Sequence, residues 1–328
     1  MRRASRPRII LISNVDSPYV RGDVSILEDV GDTQLILYDG RKRLPDLLRS
    51  LPRADLVVDW FALGYATTSV LVARALHIPI VVIAGGWDVV AAPELGYGAL
   101  LSPGRLNKTR IALRLANRVI CVSEATREAV LRIVSRSLSV IPPGIDVSFF
   151  RPSGLERRAQ VVCVAGVDNV VRYRVKGVDV LLRVASLNPE IPIYLVGPNT
   201  SEWERFLVEN APPNVHVLGA LSRDELRGLF AGSRAYMQLS AYESFCVSLG
   251  EAMASGCVPV VSDRGALPEV VGNAGLVVPY GDVDGTSHAI REALGRADLQ
   301  GAARDRVVER FSLDRRRESL QTIVRGLL

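Results

Sequence analysis

Cysteine and histidine are both scarce in this chain. Its 328 residues contain four cysteines, which are scattered mostly through apolar runs: Cys121, Cys163, Cys246 and Cys257. This spacing matches neither a disulfide framework nor a zinc site, so we expect reduced thiols packed in the core. The three histidines are His77, His216 and His288. They lie far apart in the sequence, and we interpret each of them as structural.

Long hydrophobic runs are also absent. No apolar run reaches roughly 18 residues, the length expected of a membrane-spanning helix. The first residues, MRRASRPRIILIS, pass directly from a basic tip into a strand-like run, unlike a secretory signal peptide. Hydrophobic residues make up 48% of the chain and charged residues 23%, as in ordinary folded proteins. We therefore expect a protein that stays in the cytosol.

Lysine is rare, and the positive charge is unevenly placed. Only three of the 40 basic residues are lysines, Lys42, Lys108 and Lys176, so a lysine at a motif position is less expected by chance. Residues 1–150 hold 19 basic and 14 acidic residues, whereas residues 151–328 hold 21 of each. The whole excess of +5 lies in the first half, which favours an acidic partner for that half.

Short Val, Ile and Leu runs alternate with helical patterns in the first half. The predicted strands are Arg8–Ser13, Thr33–Tyr38, Asp55–Val58, Pro79–Ala84, Arg118–Val122 and Leu138–Ile141. Near-continuous apolar strands separated by helices indicate a parallel sheet covered on both faces. The chain is long enough for two such α/β domains of about 150 residues each.

The stretch from Gln238 to Val261 places two carboxylates beside a helix start between two apolar strands. We predict a strand at Tyr236–Leu239, a turn at Ser240–Cys246, a helix at Val247–Ser255 and a strand at Val258–Ser262. The free N–H groups and positive dipole end of this helix would hold a phosphate. Glu251, inside the helix, would accept both hydroxyls of a ribose. A sugar on the phosphate would then lie against Glu243 in the turn.

Glu243 and Glu251 are separated by seven residues and followed by AMASG and PVV. This pattern resembles the EX7E signature of the retaining glycosyltransferases of family 4, which adopt the GT-B fold. The alternative is an ordinary strand, turn and helix with two solvated glutamates. The resemblance implies two Rossmann-like parallel-sheet domains facing a central cleft, with Glu243 as the catalytic residue. Cys246 departs from the family, which usually has glycine there, so we expect its side chain to narrow the sugar pocket.

The resemblance also assigns residues to a nucleotide-sugar donor. Lys176 and Gly177 match a lysine and glycine before a helix, where a basic pair binds the diphosphate of the donor. The arginine of that pair normally follows the strand glycine, but Val167 stands there, so Arg172 or Arg174 would supply the guanidinium from a longer loop. The remaining donor-binding residues are Glu251, Gly197, Ser244, Phe245, Cys246, Val247 and Gly22. We place Gly22 in the turn just ahead of the first helix.

The acceptor side of the resemblance lies in the segment GGWDVV. Trp87 and Asp88 follow a predicted strand end, where they could contact a sugar. The alternative for Trp87 is a packing residue on the domain surface. Many relatives carry a histidine in this region, and this chain has none there, so a histidine-based proton relay is not expected.

Residues Gly104 to Arg118 carry five basic residues and no acid: Arg105, Lys108, Arg110, Arg114 and Arg118. As a helix, this segment would make peripheral contact with an anionic membrane or a lipid phosphate. The alternative is a solvated helix face. Further on, Pro142, Pro143 and Gly144 resemble the stiff inter-domain hinge of the family. The implied domains are 1–148 on the acceptor side, 149–310 for the donor, and a helix at 311–328 packing back on the first.

The implied function is transfer of a sugar from a nucleotide-diphosphate sugar to a glycan or lipid-linked hydroxyl, with retention of configuration. No cofactor, metal or nucleic acid is expected. Asp282 and Asp284 spell DxD, but they precede a predicted helix, where capping explains them. Two alternatives are a sugar-nucleotide epimerase of GT-B architecture, which would act without an acceptor, and a catalytically silent nucleotide-sugar-binding protein.

Overall fold

The computed structural model describes residues 6–40, 44–154 and 156–328. In chain order, the elements of the first half are β1 (Arg8–Ser13), α1 (Pro18–Glu28), β2 (Asp32–Leu37), α2 (Leu44–Ser50), β3 (Leu56–Trp60), α3 (Gly64–Ala75), β4 (Ile80–Ala84), α4 (Pro103–Leu115), β5 (Arg118–Cys121), α5 (Glu124–Leu131) and β6 (Ser139–Val140). Short 3-10 turns lie between α2 and β3 and between β4 and α4.

The second half continues the alternation of strands and helices. Its elements are β7 (Arg158–Val167), α6 (Val170–Val175), α7 (Val178–Ser186), β8 (Ile193–Pro198), α8 (Ser201–Asn210), β9 (Val215–Leu218), α9 (Arg223–Ala231), β10 (Ser233–Gln238), α10 (Val247–Ala254), β11 (Val258–Ser262), α11 (Leu267–Val271), β12 (Leu276–Val278), α12 (Val283–Gly295), α13 (Ala297–Phe311) and α14 (Leu313–Arg325).

The chain divides into two compact units. One comprises Met1–Gly144 together with Asp314–Leu328, and the other comprises Ile145–Leu313. The first unit holds a parallel sheet in the order β2-β1-β3-β4-β5-β6. Its central strands β3 and β4 are buried along their whole length, since helices cover both faces. The predicted parallel sheet is confirmed, and each predicted strand of this half lies within two residues of an observed one.

The second unit holds another parallel sheet, in the order β12-β11-β10-β7-β8-β9. Two apolar clusters cover its two faces, one including Met237 and Val260 and the other including Tyr236 and Val261. Successive residues of β10 and β11 therefore enter opposite clusters, as the period of two along a strand requires. Val258–Ser262 is a strand with the predicted bounds.

A buried ion pair joins the C-terminal helix α14 to α1 within the first unit. Arg316 Nε and Nη2 each lie 2.6 Å from an oxygen of Asp23, and both side chains are at most 2% exposed. Trp60 Nε1 donates a 2.8 Å bond to the same carboxylate. Arg316 Nη1 donates to the carbonyls of Ile141 and Pro142. These contacts give α14 a specific place in this unit.

The cysteines are all free, and Cys121, Cys163 and Cys257 are buried, as predicted. No helix within the described ranges has both the length and the apolar character that crossing a lipid bilayer requires.

Candidate functional site

The sheet of the second unit reverses its strand order between β7 and β10. From this point, β8 and β9 continue on one side and β11 and β12 on the other. Ligands of open parallel sheets bind outside the carboxyl ends of the strands at such a switch point. Lys176 lies beyond the carboxyl end of β7, and Glu243 lies beyond that of β10. The two predicted residues therefore occupy the place that the topology favours for a ligand.

Lys176 and Glu243 form a largely buried ion pair. Lys176 Nζ lies 2.6 Å from Glu243 Oε1, and the side chains are 25% and 10% exposed. Ser240 Oγ donates a second bond, of 3.0 Å, to the same oxygen. A pair screened from water in this way interacts more strongly than an exposed one. The residues predicted to bind the diphosphate and to orient the sugar are thus in direct contact.

A glycine allows Lys176 to approach the turn that carries Glu243. Gly177 has φ +65°, and a Cβ there would lie 1.9 Å from the carbonyl oxygen of Leu239. Any other residue would force the chain away from the end of β10. Ala241 N also donates a 2.8 Å bond to Val175 O. The junction between α6 and α7 is thereby fixed against the turn.

The far side of the same turn is fixed by the segment after β11. Ala266 N donates a 2.9 Å bond to the carbonyl of Glu243, and Ser262 Oγ donates a 2.6 Å bond to the carbonyl of Ser240. Gly265 has φ +57°, and a Cβ there would lie 2.1 Å from Glu243 O. The turn is therefore held from both sides, so the carboxylate of Glu243 has a defined position.

A buried chain of hydrogen bonds leads to Glu243 and was not foreseen from the sequence. Tyr236 OH donates to Gln238 Oε1 at 2.7 Å, and Gln238 Nε2 donates to Ser240 Oγ at 2.8 Å. Ser240 then donates to Glu243. All three donors are fully buried. The available signal was the polar residue at every second position from Tyr236 to Ser240, since residues two apart share one face of a strand.

Cys246 stands at the N-cap of α10 in the left-handed region, with φ +72°. This conformation favours glycine, because an L side chain there meets the following backbone. Its thiol lies 3.7 Å from Gln238 Oε1 and 3.5 Å from Ser248 Oγ. Burial, followed by the negative charge of Glu243, raises the pKa of the thiol to about 12. Cys246 is therefore protonated at neutral pH.

Glu251 lies inside α10, as predicted, and is half-buried. Burial raises the pKa of its carboxyl to about 7, while the positive charge of Arg223 opposes the shift. No hydrogen bond from another described side chain reaches this carboxyl group. A desolvated acid without such a partner is suited to accept hydroxyl donors from a ligand.

The predicted loop before Lys176 is wrong, because these residues form the helix α6. Asn169 caps the helix by accepting a 2.9 Å bond from Arg172 N, and no glycine or proline interrupts the following residues. Arg172 and Arg174 are both exposed. Arg172 Nη1 lies 3.8 Å from Asp168 and 3.7 Å from the position that a Cβ on Gly166 would take. Arg174 forms no ion pair with a described residue.

The other residues of this unit that are predicted to bind the donor lie in different environments. Gly197 is the penultimate residue of β8 and has φ +103°, and a Cβ there would lie 3.1 Å from the carbonyl oxygen of Ala165 in β7. Ser244 and Val247 are half-exposed beside Glu243. Phe245 is buried, and its ring packs edge-on against Phe311 at 5.3 Å. The Phe245 side chain therefore packs in the core, and only the backbone of this residue is left to contact a ligand.

The prediction that Gly22 precedes the first helix is wrong. The helix α1 begins at Pro18, and Ser17 caps it by accepting a bond from Val20 N. Proline is favoured in the first helical turn because its missing N–H is not needed there. Gly22 therefore lies inside the helix rather than in the turn after β1.

The prediction that Asp88 contacts a sugar is also wrong. Asp88 is fully buried, and its carboxylate accepts bonds of 2.6 to 3.0 Å from the backbone N–H groups of Ala62, Gly85 and Gly86. Burial raises its pKa to about 6, against the effect of these bonds. Asp88 therefore joins the segments after β3 and β4, and no part of it is accessible to a ligand.

Trp87 remains available on the surface of the first unit. It is 37% exposed, and the guanidinium of Arg105 lies 5.9 Å from the centre of its ring. An exposed indole is a suitable platform for the apolar face of a sugar, although the acceptor role stays a prediction.

The predicted basic helix is present but shorter than the segment proposed for it. It ends at Leu115, and Arg118 begins the strand β5. Arg105, Lys108 and Arg114 are exposed, and Arg110 is half-exposed. In the second unit, Asp282 caps α12 by accepting a 2.9 Å bond from Gly285 N, as capping predicts.

Two family models match the chain, one in each half. Residues 13–149 match the model described as Glycosyltransferase Family 4, and residues 166–307 match the model described as Glycosyl transferases group 1.

Curated relatives are similar over part of the chain. A phosphatidylinositol N-acetylglucosaminyltransferase component of Arabidopsis thaliana is 26% identical over 221 residues, which are 64% of this chain and 49% of the relative. The MMP alpha-(1->4)-mannosyltransferase of Mycolicibacterium hassiacum is 35% identical over 180 residues, which are 51% of this chain and 42% of the relative. The chain spans about half the length of these relatives or less.

Solved structures match almost the whole chain. Sucrose-phosphate synthase from Thermosynechococcus elongatus has a TM-score of 0.78 at 20% identity, over 98% of this chain and 99% of that one. HepE of Anabaena in complex with UDP has a TM-score of 0.78 at 16% identity, over 97% of this chain and 100% of that one. The predicted GT-B fold is confirmed.

Proposed function

We propose that this chain, which belongs to the GT-B glycosyltransferases, transfers a sugar from a nucleotide-diphosphate donor to a hydroxyl acceptor with retention of configuration. The observation that carries the proposal is the contact between Lys176 and Glu243 at the switch point of the second sheet. The bond that breaks in such a donor joins a sugar to a phosphate. The cation would bind the phosphate side of that bond, and the carboxylate in contact with it would face the sugar side.

The diphosphate would bind Lys176 and the start of α10. No side chain caps this helix end, so the N–H groups of Val247 and Ser248, which begin its first turn, are available to phosphate oxygens. Arg172 is the better second cation, because its guanidinium lies beside Gly166 near the end of β7, whereas Arg174 has no such contact. These groups would stabilise the leaving diphosphate without a metal ion.

Donor binding would exchange the partners of the ion pair. Lys176 would turn to the phosphate, and Glu243 would then accept hydrogen bonds from sugar hydroxyls and stabilise positive charge at the anomeric carbon. Ser240 would hold the carboxylate in place during this exchange, because its bond to Glu243 does not involve the lysine. Glu251 would accept the hydroxyls of the nucleotide ribose.

Retention would proceed by attack of the acceptor on the face from which the diphosphate departs. The leaving phosphate would take the proton of the acceptor hydroxyl. Cys246, the reactive side chain beside Glu243, has a pKa raised to about 12, which makes it a poor nucleophile at neutral pH. This supports a mechanism without a covalent sugar–enzyme intermediate.

The acceptor would be a glycan or a lipid-linked hydroxyl, taken from an anionic membrane surface. The exposed bases Arg105, Lys108 and Arg114 on α4 support peripheral attraction of the first unit to such a surface. Trp87, beside Arg105, would contact the acceptor sugar. The phosphatidylinositol named in the Arabidopsis relative is an acceptor of this class.

The test is incubation of the protein with UDP-, GDP- and ADP-linked sugars, with and without acceptor, while NMR follows the anomeric proton. HepE has also been solved in complex with UDP-glucose, which makes UDP-glucose the first donor to examine. We expect acceptor-dependent transfer with retained configuration, undiminished by a metal chelator. Inverted product, conversion of the donor sugar without acceptor, or loss of transfer in chelator with recovery on adding a divalent ion would contradict the proposal.

A further inference from the structure

A surface cavity of about 510 Å³ lies at the amino end of the first sheet, where β5 begins at Arg118 and β6 at Ser139. This volume is within the usual range for small-molecule sites. Trp87 follows the carboxyl end of β4, and the segments joined by Asp88 follow the carboxyl ends of β3 and β4, at the opposite edge of the sheet. The cavity is therefore separate from the predicted acceptor residues.

The cavity lining is basic and rich in hydroxyl groups. Its charged and hydroxyl-bearing residues are Arg114, Arg118, Arg136, Ser135, Ser137 and Ser139. The remaining lining residues are one asparagine and two valines, so no acid faces the cavity. None of the three arginines forms an ion pair with any residue that the structure describes. Three unneutralised guanidinium groups around one concave surface attract an anion.

Arg136 shows that this arrangement carries an electrostatic cost. Its guanidinium donates to backbone carbonyls at the end of α4, including Ala116 O at 2.9 Å, while its Nε is buried without a partner. Burial and the neighbouring Arg118 lower the pKa of Arg136. The negative end of the helix dipole offsets part of the charge of Arg136. Arg114 lies in the last turn of α4 and shares this partial offset, whereas Arg118, which begins β5, does not. An anion in the cavity would neutralise the remaining positive charge.

We propose that this cavity binds a phosphate group through Arg114 and Arg118, with the serine hydroxyls as further donors. A guanidinium group binds two phosphate oxygens through a pair of parallel hydrogen bonds, whereas a lysine ammonium acts as a point charge. Two exposed arginines therefore suit a phosphate ligand. The phosphate comes either from a lipid headgroup or from a soluble phosphorylated compound, and the chemistry is the same. The proposal does not rest on the glycosyltransferase function.

The experiment is hydrogen–deuterium exchange of the whole protein with inorganic pyrophosphate, and separately with phosphatidylcholine vesicles containing phosphatidic acid. Slower exchange in peptides covering residues 113–119 and 133–139 marks occupation of the cavity. Protection by pyrophosphate alone identifies a soluble source, and protection by the vesicles identifies a lipid source. Either result supports the site. No protection of these peptides by either probe overturns it.

Matched variants separate a built site from diffuse charge. Arg114→Gln combined with Arg118→Gln should raise the concentration of pyrophosphate or vesicles needed for protection by about tenfold or more, because charge-assisted bonds are lost. Arg105→Gln combined with Lys108→Gln removes the same charge from α4 outside the cavity. It should leave protection by pyrophosphate unchanged and should weaken protection by vesicles less than the cavity variant does. Lys176→Ala should leave protection by either probe unchanged. Equal losses in the two double variants would show nonspecific attraction and contradict the proposal.

Ser137→Glu provides a second variant that leaves the arginines in place. An acid at the cavity surface should repel phosphate and abolish protection of both peptides. Retained protection in this variant would also contradict the site.

Discussion

Lys176 Nζ lies 2.6 Å from Glu243 Oε1, although the two residues follow different strands of the sheet. The contact depends on Gly177, whose missing Cβ lets the lysine segment reach the end of β10. In the unliganded protein, each charge neutralises the other. We expect a phosphate to compete with Glu243 for the ammonium group of Lys176, and this competition would couple diphosphate binding to the freeing of Glu243.

Lys176→Ala should weaken binding of a nucleoside diphosphate by roughly 10- to 100-fold, because one charge-assisted bond is lost. Binding of the nucleoside alone should change little. Calorimetry with UDP and uridine, or with whichever nucleotide the donor panel identifies, measures the difference. Arg172→Ala should show a smaller loss of the same kind, and Arg174→Ala serves as the matched control on the same helix. A larger loss in the Arg174 variant would reverse the assignment of the second cation.

Glu251 should make donor affinity depend on pH near neutrality. Its pKa is raised to about 7, so the carboxyl is ionised above that pH and accepts ribose hydroxyls as a charged group. Below pH 7 it becomes protonated, and affinity should fall. Glu251→Gln should bind more weakly at pH 8 and should lose the dependence between pH 6 and 8. Identical pH profiles for the two proteins would remove Glu251 from the donor site.

The same raised pKa predicts a stability effect in the absence of ligand. A carboxyl whose folded pKa of about 7 exceeds its ordinary value of 4.5 stabilises the fold fully below pH 4.5. That contribution is lost as pH rises through 7, and it corresponds to about 3 kcal/mol. Glu251→Gln stays neutral, so its free energy of unfolding relative to wild type should increase between pH 5 and 8. Urea titrations across this range measure the difference.

Replacing Cys246 by glycine should relieve backbone strain and so stabilise the fold at this position. A non-glycine residue in the left-handed region costs on the order of 1 to 3 kcal/mol. Cys246→Gly relieves this strain, whereas Cys246→Ala removes the same thiol and keeps the strain. We expect the glycine variant to be the more stable of the two by about 1 kcal/mol in urea unfolding. A more stable alanine variant would show that φ +72° is not strained here.

We expect the buried ion pair of Asp23 and Arg316 to contribute most of the stability of the contact between α14 and α1. Asp23→Ala leaves a buried guanidinium without its acid and should cost about 3 to 5 kcal/mol. Replacing both residues by leucine should cost less than this single change, because no unpaired charge remains. Arg315→Ala, on the same helix and exposed, should change stability by no more than about 0.5 kcal/mol. A double variant less stable than Asp23→Ala would show that the hydrogen-bond geometry of the pair, and not only its charge balance, stabilises the fold.

Local sequence signals predicted the elements around the site better than the contacts between them. The helix after Glu243 is predicted by small residues that end at a glycine. The strand at Val258–Ser262 is predicted by β-branched residues beside a proline. The ion pair with Lys176 could not be predicted in the same way, because its members lie 67 positions apart in the sequence. It depends on the sheet order, which brings β7 beside β10.

The errors have equally physical causes. At Gly22, the glycine favours a turn, but the Ser17–Pro18 helix start is the stronger signal and places Gly22 inside α1. At Asp88, an acid near a strand end is typical of an exposed ligand contact, but here the backbone N–H groups of two loops bind its carboxylate. At Phe245, proximity to Glu243 in sequence does not show that the ring packs in the core, which leaves only the backbone for a ligand. The settings of Asp88 and Phe245 both concern burial, which depends on residues distant in sequence.

The most direct test of the donor site is Glu243→Gln, assayed both for sugar transfer and for binding of the free nucleoside diphosphate. The amide keeps the shape of the side chain but loses the charge that orients the sugar and stabilises the anomeric centre. Transfer should fall by about 100-fold or more, as when a transition-state group is removed. Binding of the diphosphate should be unchanged or tighter, because Lys176 is released from its ion pair. Equal losses of transfer and binding, or full activity, would contradict the account.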